Sequence, residues 1–244
     1  EKRLFMPMTD EQWNHHEENK AIVGRIVQKW KRFGFLSEKD QLRLMCALQN
    51  MRMSCDSAYL LDQMTDRGPK PDEALTLLSE VLENDRAKVV VFSQWLGMHE
   101  LLEARLRRRW GYVLFHGGVP GPQRRQLVQR FREDPGCRLF LTTDAGGVGL
   151  NLQHASVVFN MDLPWNPAVL EQRIGRVHRL GQRQPVRVYH FISENTIEHG
   201  MLSVLAFKKS LFAGVLDGGA EEVFLGGTRL KRFMESVESA TGAI

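Results

Sequence analysis

The sequence has few of the features that mark secreted, metal-binding or membrane-spanning proteins. Its three cysteines, Cys46, Cys55 and Cys137, lie far apart and form no C-x-x-C pair, which argues against a zinc site and favours reduced, buried thiols. No apolar run approaches the roughly 20 residues that span a membrane, and the opening EKRLFMPM is not a secretory signal. We therefore expect neither a zinc site nor a membrane partner.

The sequence also lacks the loop that most often binds nucleotide phosphates. No G-x-x-x-x-G-K-[ST] run occurs, so the chain has neither the backbone cradle nor the lysine that hold the β- and γ-phosphates. No Asp-Glu pair is placed to serve as a Walker B acid. No G-x-G-x-x-G follows the first strand of the alternating region described below, which argues against a small-molecule enzyme on a Rossmann-like sheet.

Arginine is abundant, and outnumbers lysine 23 to 10. The net charge of +4 is modest and does not by itself prove nucleic-acid binding. The charge is unevenly distributed, however, because residues 164–190 contain five arginines and one acid, Glu171. The arginine bias, together with the absence of a targeting signal, favours a bacterial cytoplasmic protein over a nuclear one.

The first quarter of the sequence is predicted to be helical. Thr9 and Gln12 form a capping-box pattern at the start of residues 9–62, and the Met and Leu stripes within that range are typical of core packing. The run Gly68-Pro69-Lys70-Pro71 predicts a linker or turn, followed by a short helix over about 72–83.

From residue 88 onward, short apolar strands alternate with helices. This order predicts an α/β fold in which a parallel sheet carries helices on both faces, and ligands of such sheets bind at the carboxyl ends of the strands. A glycine-rich segment and a last helix of about 228–239 follow, and the pattern leaves open whether that helix packs back or projects. The predicted strands are 88–92, 112–115, 138–142, 156–159 and 186–191, and the helices between and after them are about 95–109, 121–132, 167–178 and 195–212.

The most informative stretch is residues 142–183, which join a glycine-rich turn to a helix that ends among arginines. Gly147 and Gly149 would let the backbone approach a ligand closely, because they have no Cβ. Gln172, Arg176 and Arg179 lie at i, i+4 and i+7 and would share one helix face. This pattern suits a phosphate ligand that arrives from outside the domain.

These residues closely resemble motifs V and VI of the Swi/Snf-type DNA-translocating ATPases, within helicase superfamily two. The resemblance implies that Arg176 and Arg179 act as arginine fingers on ATP, and that Gln172, Gly147 and Gly149 contact the nucleotide. It implies that the chain is the second RecA-like lobe of a longer enzyme, preceded by a helical insertion. ATP and Mg would then be bound mainly by the N-terminal RecA-like lobe, and this chain alone would be inactive.

The resemblance also implies which residues contact DNA. Residues 162–167 resemble the family's D-x-x-W-N-P, residues 93–95 its motif IV, and residues 116–124 its motif IVa. The alternatives are that Ser93 is only a helix cap, that Trp165 only covers the sheet end, and that His116 only makes structural hydrogen bonds. Asp144 stands where the family commonly has a basic residue, so no DNA contact is expected from it. The predicted DNA contacts are Ser93, Gln94, His116, Gly117, Arg124, Thr142, Thr143, Trp165 and Asn166.

We therefore expect the second motor lobe of an ATP-dependent translocase or remodeller. Its expected partners are double-stranded DNA, the N-terminal lobe of the same protein and a nucleoprotein target. The alternatives are a lobe of a strand-separating DNA or RNA helicase, and a non-enzymatic DNA-binding module. The expected divisions are a helical insertion with linker at 1–71, the RecA-like lobe at 72–213, and a glycine-rich linker with a last helix at 214–244.

Overall fold

A single six-stranded parallel sheet forms the centre of the molecule. The computed structural model describes residues 1–83, 87–106, 109–144, 149–212 and 228–242. The strand order is β1-β6-β5-β2-β4-β3, and every neighbouring pair is parallel. The predicted fold class, a RecA-like α/β sheet with helices, is confirmed. The strands are β1 (Lys2–Met6), β2 (Val89–Phe92), β3 (Gly111–Phe115), β4 (Cys137–Thr142), β5 (Val157–Asn160) and β6 (Arg187–Ser193).

The central strands are apolar throughout because both faces of the sheet are covered. On β2, Val89 and Val91 pack into one core while Val90 and Phe92 pack into the other. The described helices complete these two cores and form most of a third. They are α1 (Asp10–Phe33), α2 (Glu38–Asp56), α3 (Tyr59–Asp62), α4 (Pro69–Leu82), α5 (Leu96–Leu106), α6 (Gly121–Glu133), α7 (Pro167–Gly175), α8 (Ile197–Phe212) and α9 (Thr228–Thr241).

Strand β1 was not identified from the sequence. It runs parallel to β6, with Lys2 opposite Tyr189 and Met6 opposite Ser193. Within β1 only Met6 is buried, because the strand lies at the sheet edge and exposes most of its side chains. Its residues therefore lack the apolar pattern that reveals a buried strand.

Four described helices, α1 to α4, lie between β1 and β2, and α1 and α2 form a hairpin. Helix α1 ends at Gly34, whose φ of +66° lies in the left-handed region that favours glycine, and Ser37 caps α2. The last helix, α9, packs back onto α8. A Cβ on Gly200 would lie 2.0 Å from the carbonyl oxygen of Ala240, so the two helices approach at backbone distance.

The segment predicted as a linker, Gly68 to Pro71, is instead the start of helix α4. Gly68 is the N-cap and Pro69 opens the helix, where proline loses no hydrogen bond because the first N–H has no helical partner. None of the described helices has the length and apolar character required to cross a membrane.

A buried ion cluster fastens the helical hairpin to the sheet. The Nζ of Lys70 lies 2.7 Å from Asp56 Oδ1 and 2.7 Å from Glu198 Oε2, and donates to the carbonyl of Met161 at 2.8 Å. Asp56 ends α2 and Glu198 lies in the first turn of α8. We refer to Lys70, Asp56 and Glu198 as the junction cluster.

Candidate functional site

The carboxyl ends of the strands open into a cleft of about 750 Å³. This is where an open parallel sheet places its ligand. The loops after β2, β3, β4 and β5 all contribute side chains, and so do α7 and the turn that follows it. Seven of the residues singled out from the sequence line this cleft: Gln94, His116, Thr143, Trp165, Asn166, Gln172 and Arg176.

Helix α7 is shorter than predicted and ends at Gly175. Gln172 lies on the helix, Arg176 stands in the turn that follows, and Arg179 lies beyond that turn. The prediction that one helix face carries all three residues is therefore wrong. The helix ends here because the Val177 side chain turns inward and is fully buried. Glycine has a low helix propensity, so Gly175 also favours the end of the helix.

Gln182 holds the turn that carries the two arginines, a role that the sequence did not reveal. Its side-chain Nε2 donates to the carbonyls of Gln153 at 3.0 Å, Ala155 at 2.8 Å and Val177 at 3.3 Å. Arg176 is half-buried at the cleft, whereas Arg179 is exposed and lies outside the cleft lining. Among the described residues, neither guanidinium forms an ion pair.

The neighbouring Arg173 is buried and forms a second ion cluster beneath the cleft. Its guanidinium makes a two-point contact with Asp144, at 2.6 and 2.7 Å, and reaches Asp162 Oδ1 at 2.9 Å. We refer to Arg173, Asp144 and Asp162 as the strand-end cluster. The sequence showed Arg173 only as one of several basic residues. The sequence signal that could have revealed its role is its place directly after the exposed Gln172, which puts Arg173 on the inner face of α7.

Asp162 organises the loop after β2. Its Oδ2 accepts hydrogen bonds from the Ser93 hydroxyl at 2.8 Å and from the Gln94 backbone N–H at 2.7 Å. Burial alone would raise the pKa of Asp162, but the charges of Arg173 and Arg52 and the hydrogen bonds from Arg173 and the Gln94 backbone lower it to about 2. The carboxylate is therefore charged at neutral pH and fixes the position of Gln94.

Two of the predicted DNA contacts lie in the interior. Ser93 and Thr142 are fully buried. The Ser93 oxygen accepts the Trp95 N–H at 3.1 Å, as the capping alternative anticipated, and the Thr142 hydroxyl donates to the Thr143 carbonyl at 3.0 Å. Both hydroxyls donate hydrogen bonds inside the protein.

Of the remaining predicted residues, Gly117, Arg124 and Gly149 lie outside the cleft lining. Arg124 donates to the carbonyls of Val119 and Gly117, each at 2.7 Å, and thereby holds the loop that carries His116. Gly149 is exposed with a φ of +78°, a conformation suited to glycine. Gly147 lies outside the described residues.

Helix α2 forms one wall of the cleft, which the sequence did not indicate. Met45, Leu48, Gln49 and Arg52 line it, although the Met and Leu stripe of this helix predicted core packing alone. The helical hairpin is therefore part of the site.

Comparison with known proteins places the chain among helicase-like ATPases. Residues 71–181 match the model of the helicase conserved C-terminal domain. The chain is 40% identical over 171 residues to the DNA repair protein RAD5B of Arabidopsis thaliana, covering 67% of this chain and 13% of that protein. It is 32% identical over 195 residues to the human SWI/SNF-related matrix-associated actin-dependent regulator of chromatin subfamily A member 1, covering 74% of this chain and 19% of the relative.

Solved structures share the fold. The ATPase core of Sulfolobus solfataricus SWI2/SNF2 in complex with double-stranded DNA matches with a TM-score of 0.71 at 24% identity, covering 88% of this chain and 45% of that one. The expectation of a bacterial cytoplasmic protein is wrong, because plant and fungal DNA repair proteins and a human chromatin regulator stand among the relatives, beside bacterial helicases. Arginine usage is a property of genome composition and does not report location.

Proposed function

Since the chain belongs to the helicase C-terminal family of SWI2/SNF2-type ATPases, we propose that it is the second motor lobe of an ATP-dependent double-stranded-DNA translocase or remodeller. The chain spans 13% and 19% of the two relatives described above. The proposed activity therefore belongs to a longer protein, in which this lobe faces a partner lobe that holds the phosphate loop.

The observation that carries the proposal is the contrast between two arginines three residues apart. Arg173 is buried and bound by two carboxylates, whereas Arg176 lines the cleft beside Gln172 and forms no ion pair with any described residue. An arginine finger requires a guanidinium that its own domain leaves available for a phosphoryl group. Arg176 meets that requirement, and we assign the second finger to the exposed Arg179.

The residues of this lobe fit the terminal phosphates of ATP but not its metal ion. ATP supplies the phosphoryl group whose developing charge Arg176 and Arg179 would stabilise, with Gln172 and Gly149 beside it. Among the described residues that line the cleft, Asp144 is the one carboxylate, and both of its oxygens bind Arg173. We therefore assign the Mg ligands to the N-terminal lobe and expect this chain alone to be inactive.

We assign the DNA contacts to the predicted residues that line the cleft. They are Gln94 after β2, His116 after β3, Thr143 after β4, and Trp165 and Asn166 after β5. Polar and aromatic groups of this kind bind the phosphate backbone without reading sequence, so we expect duplex binding that does not depend on base sequence.

The test is ATP hydrolysis by the full-length protein with and without duplex DNA. We expect Arg176→Ala to lower duplex-stimulated kcat about 10³-fold, since that is the lower range for loss of an arginine finger. Arg183→Ala is the matched control, because Arg183 is an exposed arginine of the same segment that lies outside the cleft.

Two outcomes would contradict the proposal. If Arg176→Ala hydrolyses ATP as fast as the wild type, the finger assignment is wrong. Stimulation by single-stranded DNA or RNA but not by duplex, together with strand displacement, would favour the strand-separating helicase instead.

A further inference from the structure

Arg52 of helix α2 is a buried cation placed between two loops of the cleft. Its side chain is 2% exposed. One guanidinium nitrogen, Nη2, donates to the Leu163 carbonyl at 2.9 Å, and Nη1 donates to Gln49 Oε1 at 3.1 Å. The guanidinium also lies 5.6 Å from the centre of the Trp95 ring. A single side chain of the helical hairpin thus touches the loop after β2 and the loop after β5.

These two loops carry three of the proposed DNA contacts, and we call residues 93–95 and 161–166 the DNA-facing loops. The second loop is held from the opposite side by Arg173, which donates to the Asp162 carbonyl at 3.0 Å. It is fixed at its end by Asn166, whose Oδ1 accepts the Ala168 N–H at 3.0 Å. Arg52 binds the loop between these two attachments, at the Leu163 carbonyl, two residues before Trp165.

The bonds of Arg52 are better suited to positioning than to stability. Its hydrogen bonds among the described residues go to a carbonyl and an amide oxygen, which are neutral. Burying a guanidinium against neutral acceptors costs free energy that a well-packed apolar side chain would not, and the attraction between Arg52 and the Asp162 carboxylate offsets only part of that cost. A charge-assisted hydrogen bond to a backbone carbonyl, however, fixes that carbonyl in one place, and the ring contact adds a second constraint.

We infer that Arg52 is a positioning residue for DNA binding. It fixes the two DNA-facing loops relative to each other and makes helix α2 part of the DNA-binding unit. This inference rests on the proposed function. Arg52 does not touch DNA. It sets where Gln94 and Trp165 stand, so a displacement of the helical hairpin is transmitted to both contacts at once.

The test compares Arg52→Met and Arg52→Lys in the full-length protein. Methionine fills the space without hydrogen bonds, whereas lysine can reach the Leu163 carbonyl but cannot span Gln49 and Trp95 with a planar group. We expect the Kd for duplex DNA, measured by fluorescence anisotropy, to rise about 10-fold for Arg52→Met, which corresponds to about 1.4 kcal/mol. We expect about 3-fold, or roughly 0.65 kcal/mol, for Arg52→Lys. Arg43→Met is the control, since Arg43 is exposed on the same helix.

Hydrogen exchange provides the readout that does not depend on DNA. We expect faster exchange of the backbone amides of residues 93–95 and 161–166 in Arg52→Met, with the β2 and β4 amides unchanged. A structural role alone would lower the melting temperature and leave both the Kd of the folded protein and the local exchange as in the wild type. If Arg52→Met does not fold, Arg52→Lys decides on the same two measurements.

The inference and the proposed function fail separately. A wild-type protein that does not bind duplex DNA would overturn the proposed function, while the exchange of the two loops would still report on positioning. Normal DNA binding by folded Arg52 variants, with unaltered loop exchange, would overturn the inference and leave the proposed function standing.

Discussion

The strand-end cluster and the junction cluster have the same composition, one cation between two carboxylates, and differ in what surrounds them. In the strand-end cluster the Asp144 side chain is 29% exposed and borders the cleft. In the junction cluster the three side chains are at most 1% exposed. One cluster therefore holds the floor of a site that stays accessible, and the other fastens two parts of the chain where water is excluded.

The cations of the two clusters differ in shape. Arg173 is planar and reaches Asp144, Asp162 and Asn160 from one rigid group, which defines geometry. Lys70 is a point charge that binds one oxygen of Asp56, the Glu198 carboxylate and a carbonyl. Burial raises the pKa of Asp56 well above its usual range, against the opposing charge of Lys70, whereas the pKa of Asp162 is lowered to about 2. Burial of a charge therefore does not by itself indicate a functional site.

The most severe loss of stability is expected from Lys70→Met. The substitution leaves Asp56 and Glu198 buried without their cation, and breaking a buried ion pair in this way costs about 3–5 kcal/mol. Denaturant unfolding of the protein measures the change.

A triple substitution separates the cluster's charge from its packing. Lys70→Met with Asp56→Asn and Glu198→Gln removes all charge from the cluster. It retains an acceptor for the Ser193 N–H, which in the wild type donates to Glu198 Oε2 at 3.0 Å. We expect it to recover most of the loss, to within about 1–2 kcal/mol of the wild type. A triple variant as unstable as Lys70→Met would show that packing, and not charge, dominates.

A smaller loss of stability, coupled to a loss of function, is expected from Arg173→Met. The cost should be about 2–3 kcal/mol, below that at Lys70, because the partly exposed Asp144 can turn to water. Asp162 would lose its partner, so Gln94 would lose its fixed position and DNA-stimulated ATP hydrolysis should fall in the protein that remains folded. Arg183→Met controls for loss of positive charge. Folded Arg173→Met with unchanged hydrolysis would contradict the role given to this cluster.

Mild acid should lower the free energy of unfolding, because a buried histidine lies beside each of the two clusters. The ring of His16 accepts the N–H of Ile197 next to the junction cluster, and His99 lies beside Asp162 and Arg173. Burial lowers the pKa of each to about 4, so between about pH 6.5 and 4 the unfolded chain binds more protons than the folded one. Stability should fall by about 1–2 kcal/mol per histidine at about pH 5.5.

Unfolding measured across this pH range tests the prediction, and His16→Gln should remove about half of the dependence because glutamine can still accept the Ile197 N–H. A flat stability profile between these pH values would show that the two rings are already protonated or solvated in the folded protein.

The sequence predicted what depends on local pattern. The central strands, the cleft at the carboxyl edge of the sheet and the presence of Gln172 and Arg176 in its lining followed from apolar periodicity and motif spacing. The partners of Arg52 and Lys70 did not, because the bonded groups are separated by 111 and 128 residues and no local rule connects them. The end of α7 was missed for a related reason, since the burial of Val177 and the bonds of Gln182 override helical spacing.

The cleft wall formed by α2 has a practical consequence for work with fragments of this protein. Residues 71–181, which match the family model, exclude α2, Lys70, and strands β1 and β6. A fragment cut to those bounds would expose β5, whose four residues are fully buried in the intact sheet, as a new apolar edge. Such an edge promotes aggregation. The recognisable motif region is thus smaller than the folding unit, and a usable fragment begins at β1 and extends through α9.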